Sequence, residues 1–157
     1  MSKVWIVLAN AKIATIYSVS ERSRHFTLIK TIFHDESALK NSDFITDKPG
    51  HYLKNSRELR GSFEKKLNAK DITILRFAKE ICDALENGRT APKPYKAIII
   101  VAEPHFYGLI NKQANRYIQE KIKHHLPKDY THFSSKKLKE ELEAVLDHEL
   151  RLIFLSD

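Results

Sequence analysis

The sequence is poor in the residues that build several specialised classes of protein. A single cysteine, Cys82, in 157 residues excludes a disulfide framework and a zinc finger with cysteine ligands. Four glycines and five prolines exclude collagen-like and low-complexity chains. The longest apolar runs, Val4–Ala9 and Ala97–Ala102, are far shorter than the roughly 20 residues that span a bilayer. We expect a cytoplasmic protein with no membrane association, folded as one domain over residues 1–157.

Positive charge is what the chain has in excess. Its 27 lysines and arginines outnumber its 20 aspartates and glutamates, and the excess is unevenly distributed. Residues 107–139 hold eight basic and two acidic side chains, whereas residues 140–157 hold one basic and six acidic. This asymmetry favours a polyanionic partner, although many basic proteins have none.

Three segments near the N-terminus predict β-strands. Val4–Ala9, Ile13–Val19 and Phe26–Phe33 are rich in β-branched and aromatic residues, and short polar stretches separate them. Such short separations favour an antiparallel meander. Residues 34–68 have few apolar side chains and predict a long polar loop. Its segment Asp47-Lys-Pro-Gly predicts a tight turn, which needs no function but could also present its charges to a ligand.

The remainder of the chain predicts alternating helices and strands. Helical spacing of apolar residues predicts a helix over Asp71–Asn87, and Gly88 follows as a helix-ending glycine. Ala97–Ala102 predicts a strand that is buried on both faces and adjacent to Val4–Ala9. A further helix is predicted to begin at Pro104 and to end at Pro127. The predicted core face of that helix comprises Phe106, Ile110, Ala114, Tyr117 and Ile118.

The last elements complete a recognisable order. Asp129–Phe133 predicts a short edge strand, and a final helix after Ser134 is predicted to bury Leu138, Leu142, Val145 and Leu146. The order βββ-α-β-α-β-α predicts an α/β fold with a mixed sheet and helices on both faces. This three-layer layout is similar to that of ribonuclease H.

Several kinds of active site lack their parts in this sequence. A ribonuclease-H-type nuclease needs converging carboxylates, yet the first strand carries none, and Glu103 after the fourth predicted strand is explained by the helix that follows it. No His-x-x-x-His pair supports a metal site, so we expect no metal and no cofactor. Cys82 lies in the middle of an apolar helix face, where a cysteine is usually a small core residue. Asp47, His105 and His132 remain as weak candidates for a hydrolase site.

Five segments resemble, in order, motifs of the bacterial family of proteins required for attachment to host cells. They are Trp5–Ala14, Asp43–Gly50, Arg76–Glu80, Ile100–Ile110 and Asp129–Ser134. Within them the motif positions are Asp47, Pro49, Gly50, Gly108, Asp129, Thr131 and His132. The family's name implies a role in attachment to host cells. The resemblance also implies a fold related to the middle domain of archaeal and eukaryotic class-1 peptide-chain release factors, and hence association with the ribosome or transfer RNA.

The resemblance implies RNA binding without release-factor catalysis. The Gly-Gly-Gln tripeptide of those release factors has no counterpart, because this sequence contains no Gly-Gly pair. We therefore expect a non-catalytic protein that binds structured RNA through phosphates and a helix start. The predicted RNA or anion contacts are Lys48, Arg57, Glu103, Pro104, His105, Lys112, Arg116 and Lys123. Of these, Lys112, Arg116 and Lys123 are predicted to share one basic face of the helix that begins at Pro104. The alternatives are a host-cell interaction factor, a hydrolase, and, for this basic face, plain solvated surface.

Overall fold

A computed structural model describes residues 2–34, 69–131 and 135–156 of the chain. Within these residues five strands form one mixed sheet, in the order β3-β2-β1-β4-β5. Their bounds are Lys3–Ala9 for β1, Ile13–Ser20 for β2, Phe26–Phe33 for β3, Ala97–Val101 for β4 and Ile122–Leu126 for β5. β1, β2 and β3 pair antiparallel, whereas β4 pairs parallel with both β1 and β5.

Helices cover both faces of the sheet, as the sequence predicts. They are α1 (Ala69–Arg89), α2 (Pro104–Gln113), α3 (Arg116–Lys121) and α4 (Ser135–Leu155). The first three pack on one face, in a cluster that includes Phe77, Ile81 and Ile110. α4 packs on the other face through Leu142 and Leu146. The α/β fold with a mixed sheet between two helical layers is therefore confirmed.

The two most apolar strands lie side by side in the middle of this sheet. β1 and β4 pair with Val4 opposite Ala97 and Leu8 opposite Val101. Every residue of β4 is buried, and so is every residue from Val4 to Ala9 except the half-buried Trp5. A strand covered by helices on both faces has no polar side, which explains its unbroken apolar sequence. The predicted adjacency of these two strands is confirmed.

Gly88 has a different role from the predicted one. It lies inside α1, which continues to Arg89, and it is not a residue that ends the helix. A Cβ atom at this position would lie 2.2 Å from Cη2 of Trp5. The Trp5 ring packs on Tyr95 with centroids 4.8 Å apart, and the Tyr95 hydroxyl donates a 2.6 Å hydrogen bond to the Leu85 carbonyl. Gly88 therefore gives the Trp5 ring room against α1.

The long helix predicted from Pro104 to Pro127 is wrong in its second half. α2 ends at Gln113, and Ala114 has an extended backbone with ψ of 143°. Asn115 then caps a new helix, because its Oδ1 accepts a 2.9 Å hydrogen bond from the Ile118 N–H. The break changes the helical phase, so Tyr117, predicted to be buried, is 51% exposed.

The last strand also lies earlier than predicted. β5 pairs with β4 through residues 122–126, where the sequence predicts helix. Residues 129–131 of the predicted strand over Asp129–Phe133 are not in a strand, and its last two residues lie outside the described part of the chain. Pro127 directly follows β5. Because its ring nitrogen has no hydrogen to donate, the hydrogen-bond ladder ends before this residue.

The final helix extends well beyond the core residues that the sequence predicts for it. α4 continues through Leu155, which settles the ambiguous segment 150–155 as helix. Leu138, Leu142 and Leu146 are buried as predicted, but Val145 is 39% exposed. Several predictions fall on residues outside the described part of the chain, namely the long loop from residue 35 onwards, Ser134 and the site residues Asp47, Lys48, Pro49, Gly50, Arg57 and His132.

Candidate nucleic-acid interface

The carboxyl ends of the parallel strands bring together motif residues that are far apart in sequence. Asn10 follows β1, and its Nδ2 donates to Thr131 Oγ1 at 2.7 Å and to Asp129 Oδ2 at 3.3 Å. Asn10 Oδ1 in turn accepts the N–H groups of Lys12 and Ile13, at 2.7 and 2.9 Å. Asn10 therefore joins the β1–β2 turn to the segment that follows β5.

Asp129 and Thr131 complete this connection. Asp129 Oδ1 accepts from the Thr131 backbone N–H at 2.9 Å and from its hydroxyl at 2.6 Å. The amide nitrogen of Asn10 uses both of its hydrogens on this pair, so the three side chains mainly hold one another. A ribonuclease-H-type metal site needs several converging carboxylates, and β1 carries none. Among the described residues, no group of three or more His, Cys, Asp or Glu side chains could hold a metal ion.

The start of α2 lies at the same edge of the sheet. Glu103, Pro104 and His105 are exposed, and the Glu103 side chain makes no capping hydrogen bond. Behind them, Tyr107 stacks on His125 with ring centroids 3.8 Å apart, and His125 Nε2 lies 2.8 Å from the Ala102 carbonyl oxygen. The predicted anion site at this helix start is accessible. Of the three candidate hydrolase residues, His105 alone lies in the described part of the chain.

Most of the predicted phosphate contacts lie elsewhere. Lys112 is in the last turn of α2, Arg116 begins α3 and Lys123 is on β5. The prediction that these three share one helical face is wrong, because the chain breaks after Gln113 and becomes a strand at Ile122. Lys123 comes early in β5, near the amino end of the parallel strands, whereas α2 begins beyond their carboxyl ends. The helix start and Lys123 therefore lie at opposite ends of the sheet.

Four cations nevertheless lie close together in the chain, between the last turn of α2 and the start of β5. We define the basic rim as Lys112, Arg116, Lys121 and Lys123; all are exposed except the half-buried Lys121. In the described part of the chain none of the four forms an ion pair. Residues 104–128 as a whole carry five basic side chains and one acidic side chain, Glu120. The basic rim is therefore a region of excess positive charge that Glu120 offsets only in part.

A groove lies next to the basic rim on the α4 side of the sheet. It has a volume of about 600 Å³. Its lining includes Glu120, Lys121 and Lys123 together with Leu152 and Ile153 of α4. Lys96, which also lines the groove, donates a hydrogen bond to the Ser156 carbonyl oxygen just beyond the end of α4. The basic rim thus extends over both helical layers, with Lys112 and Arg116 on one side of β5 and this groove on the other.

Tyr117 is a surface residue, although the helical spacing of the sequence predicts it in the core. The Arg116 guanidinium lies 5.4 Å and the Arg89 guanidinium 4.8 Å from its ring centroid. Arg89 also forms a two-point ion pair with Glu86, at 2.8 and 2.7 Å. These hydrogen bonds and one from Asn115 lower the pKa of the Glu86 carboxyl to about 2. The sequence signal for this arrangement is Asn115, whose type favours the start of a new helix.

Cys82 offers no reactive thiol. It is buried in the α1 face of the core, and its Sγ donates to the Ile110 carbonyl oxygen at 3.3 Å. Burial, with a smaller effect of Asp83, raises the pKa of the thiol to about 12. The interpretation of Cys82 as a core residue is supported by both observations. Among the described helices, none is both long and apolar enough to cross a membrane.

The comparison with known proteins identifies the family. A sequence model of the family described as "Protein required for attachment to host cells" matches residues 5–142, from within β1 to within α4. A comparison with curated proteins finds no match. The match spans most of the chain and includes the complete basic rim, and it confirms the predicted resemblance to this family. The chain belongs to the family of proteins required for attachment to host cells.

Proposed function

We propose that this protein binds structured RNA, at the ribosome or on transfer RNA, without catalysing a reaction. The observation that carries the proposal is the basic rim, in which four neighbouring cations have no acidic partner among the described residues. A polyanion with regularly spaced phosphates matches such a surface. Its binding releases counterions condensed on the RNA, and this release makes association favourable at low salt.

The contrast with other cations of the chain supports this interpretation. Lys79, Arg89 and Arg151 each form an ion pair with an acid three or four residues away on the same helix. A phosphate that approached one of them would have to compete with the carboxylate already present. In the described part of the chain the cations of the basic rim form no such ion pair. Glu120 lies four residues after Arg116 on α3 but is not paired with it, so most of this charge is available to a partner.

Binding is proposed instead of catalysis because the described residues do not assemble a set of reacting groups. His105 is exposed at the start of α2, and no carboxylate contacts it among the described residues. Asn10, Asp129 and Thr131 are engaged with one another and with the β1–β2 turn. The sequence also contains no Gly-Gly-Gln tripeptide, the catalytic group of the release factors to which the resemblance points. The proposal places the protein in the cytoplasm, where ribosomes and transfer RNA are found.

The test is the salt dependence of RNA binding by a neutralised variant. Each phosphate contact that is lost should reduce the slope of log affinity against log salt by roughly 0.7 to 0.9. A variant with Lys112→Gln, Arg116→Gln and Lys123→Gln should therefore have a slope that is lower by about two to three. Fluorescence anisotropy with a labelled hairpin RNA measures this slope. The salt concentration is varied over a range on the order of 50 to 300 mM, where counterion release has a large effect on affinity.

A control with equal loss of charge separates a local effect from a general one. Lys12→Gln, Lys30→Gln and Arg76→Gln remove three exposed cations from the β2, β3 and α1 part of the molecule, away from the basic rim. The control should retain most of the wild-type slope. Equal slopes for all three proteins would refute the proposal. The charge of the basic rim would then serve only to keep the edge strand β5 from pairing with other chains.

Attachment to host cells is the second candidate function, and the family description favours it. It requires that part of the protein reach the cell surface. Fractionation of cells that express the tagged protein, followed by protease treatment of intact cells, distinguishes the two candidates. A protease-sensitive surface pool would favour direct attachment, whereas a pool confined to the cytoplasm would favour RNA binding.

A further inference from the structure

Tyr117 is an exposed aromatic ring on the element that contributes most to the basic rim. It lies on α3 between Arg116 and the buried Ile118, and 51% of its surface is exposed. Its side chain and that of Lys121 are one helical turn apart, so they project from the same side of α3. An exposed tyrosine with a lysine and an arginine beside it can contact both a nucleobase and its phosphates.

Two guanidinium groups, those of Arg89 on α1 and Arg116 on α3, lie over the ring and restrict its position. The Arg89 guanidinium lies 4.8 Å from the ring centroid, and two hydrogen bonds to Glu86 fix its orientation. Asn115 links this pair to α3, because its Nδ2 donates to Glu86 Oε1 at 3.2 Å while its Oδ1 caps the helix. A ring that is already fixed loses little conformational freedom when a ligand stacks on it.

The charge around the ring favours an anionic ligand over a neutral one, and the exposed ring favours a nucleic acid over an acidic protein surface. Arg89 compensates Glu86, so the nearby charge that remains is that of Arg116 and Lys121, partly offset by Glu120. Unpaired bases of RNA stack on tyrosine rings and on arginine guanidinium planes, and the phosphates on either side bind lysine or arginine. Tyr117 and its neighbours supply all of these groups.

We propose that Tyr117 stacks on an unpaired nucleobase of the bound RNA, with Arg116 and Lys121 contacting the adjacent phosphates. The inference rests on the proposed RNA binding and adds a preference for RNA molecules that have unpaired bases. The cations of the basic rim bind duplex and single-stranded phosphates alike, but a stacking ring needs a base that is free of its partner. RNA with an exposed loop or end is therefore the preferred ligand.

The experiment compares two RNA probes and three substitutions at one position. The probes are a hairpin with an unpaired loop and a blunt duplex with the same number of phosphates. Tyr117→Ala should weaken hairpin binding by roughly tenfold to a hundredfold and leave duplex binding unchanged. Tyr117→Phe should bind the hairpin like the wild type, because stacking needs the ring and not the hydroxyl. Tyr117→Leu should bind it like the alanine variant, because it has bulk without a π face.

The salt slope and a distant aromatic residue provide the controls. Tyr117→Ala should keep the wild-type salt slope, since no phosphate contact is removed. Phe33→Ala removes a ring that is 68% exposed on β3, at the opposite edge of the sheet, and it should not change binding. Circular dichroism of each variant should match that of the wild type, because both rings are largely exposed.

The possible results separate this inference from the proposal on which it depends. If the wild type binds neither probe, the proposed RNA binding is wrong. If the wild type binds both and Tyr117→Ala binds them equally well, RNA binding stands and stacking is refuted. Equal weakening on hairpin and duplex also refutes stacking, because the ring would then act through the position of α3.

Discussion

Replacement of Gly88 by alanine sets two effects of opposite sign against each other. Gly88 lies inside α1, where alanine is favoured over glycine by about 1 kcal/mol. The added Cβ would lie 2.2, 2.6 and 2.8 Å from three atoms of the Trp5 ring. Carbon atoms in contact are normally about 3.5 to 4.0 Å apart, so the ring or α1 must move by more than 1 Å.

The surroundings of Trp5 decide which effect is larger. The ring cannot simply move away, because Tyr95 packs against it and is held by the hydrogen bond to the Leu85 carbonyl. Overpacking of a closely packed core costs about 1 to 3 kcal/mol, and the short contacts place this case at the upper end. After subtraction of the helix preference, we expect Gly88→Ala to lower the free energy of unfolding by about 2 kcal/mol. The corresponding fall in Tm is about 4–8 °C.

Urea unfolding, followed by circular dichroism and tryptophan fluorescence, measures this change. Trp5 is the only tryptophan, so its emission reports on the ring that must move. Gly108→Ala is the matched control: it lies in α2 and a Cβ there would have no atom within 4 Å. The control should stabilise the protein by about 0.5 to 1 kcal/mol. A Gly88→Ala protein as stable as the wild type, with unchanged emission, would refute the packing argument.

Two further predictions concern titratable groups. Burial raises the pKa of the Cys82 thiol to about 12, so this cysteine should resist alkylation at pH 8 in the native protein. In denaturant it should react fully. Labelling of the native protein at the rate of the denatured protein would contradict the buried position of Cys82. Glu86 has its pKa lowered from 4.5 to about 2 by hydrogen bonds from Arg89 and Asn115. Its contribution to stability should be complete above about pH 4.5 and disappear as the pH falls towards 2, because the unfolded chain binds the proton more readily. Urea unfolding should therefore show that Glu86→Gln is less stable than the wild type at pH 7 and equally stable near pH 2. A difference in the free energy of unfolding that does not change with pH would contradict the stabilising role of this ion pair.

The first four strands of the sheet were the most predictable part of the fold. β3 has the predicted bounds, and β1 and β4 differ from prediction by one residue at one end. Their signals are local: continuous apolar sequence in β1 and β4 reflects cover on both faces, and this cover follows from the helices in the connections. The order of the elements then restricts how the parallel strands pair, because crossover connections are right-handed.

The region from Ala114 to Leu126 could not be predicted by the same reasoning. Its apolar residues continue the helical spacing of α2, so periodicity favours one long helix. The break depends on tertiary contacts, in which Asn115 reaches Glu86 on α1 and β5 finds its ladder partner in β4. A single asparagine in a helical pattern does not reveal such partners. Tyr117 and Lys123 were misplaced for this reason.

The candidate site was predictable in composition and not in arrangement. The cations of the basic rim are visible in the sequence as a charge excess, but their division between two helices and a strand is not. The contact between Asn10 and Thr131, 121 residues apart, depends on the parallel pairing of β1, β4 and β5. Both segments, Trp5–Ala14 and Asp129–Ser134, resemble family motifs, but only the fold shows that they are in contact.

Binding of the unmodified protein to RNA is the most direct test of the central claim. Purified protein is sedimented with ribosomes, and in parallel it is titrated against labelled transfer RNA, at low and at high salt. We expect binding to at least one of these RNAs at low salt, with release as salt rises and as the basic rim is neutralised. Protein that binds neither ribosomes nor transfer RNA at low salt would refute the proposed RNA binding.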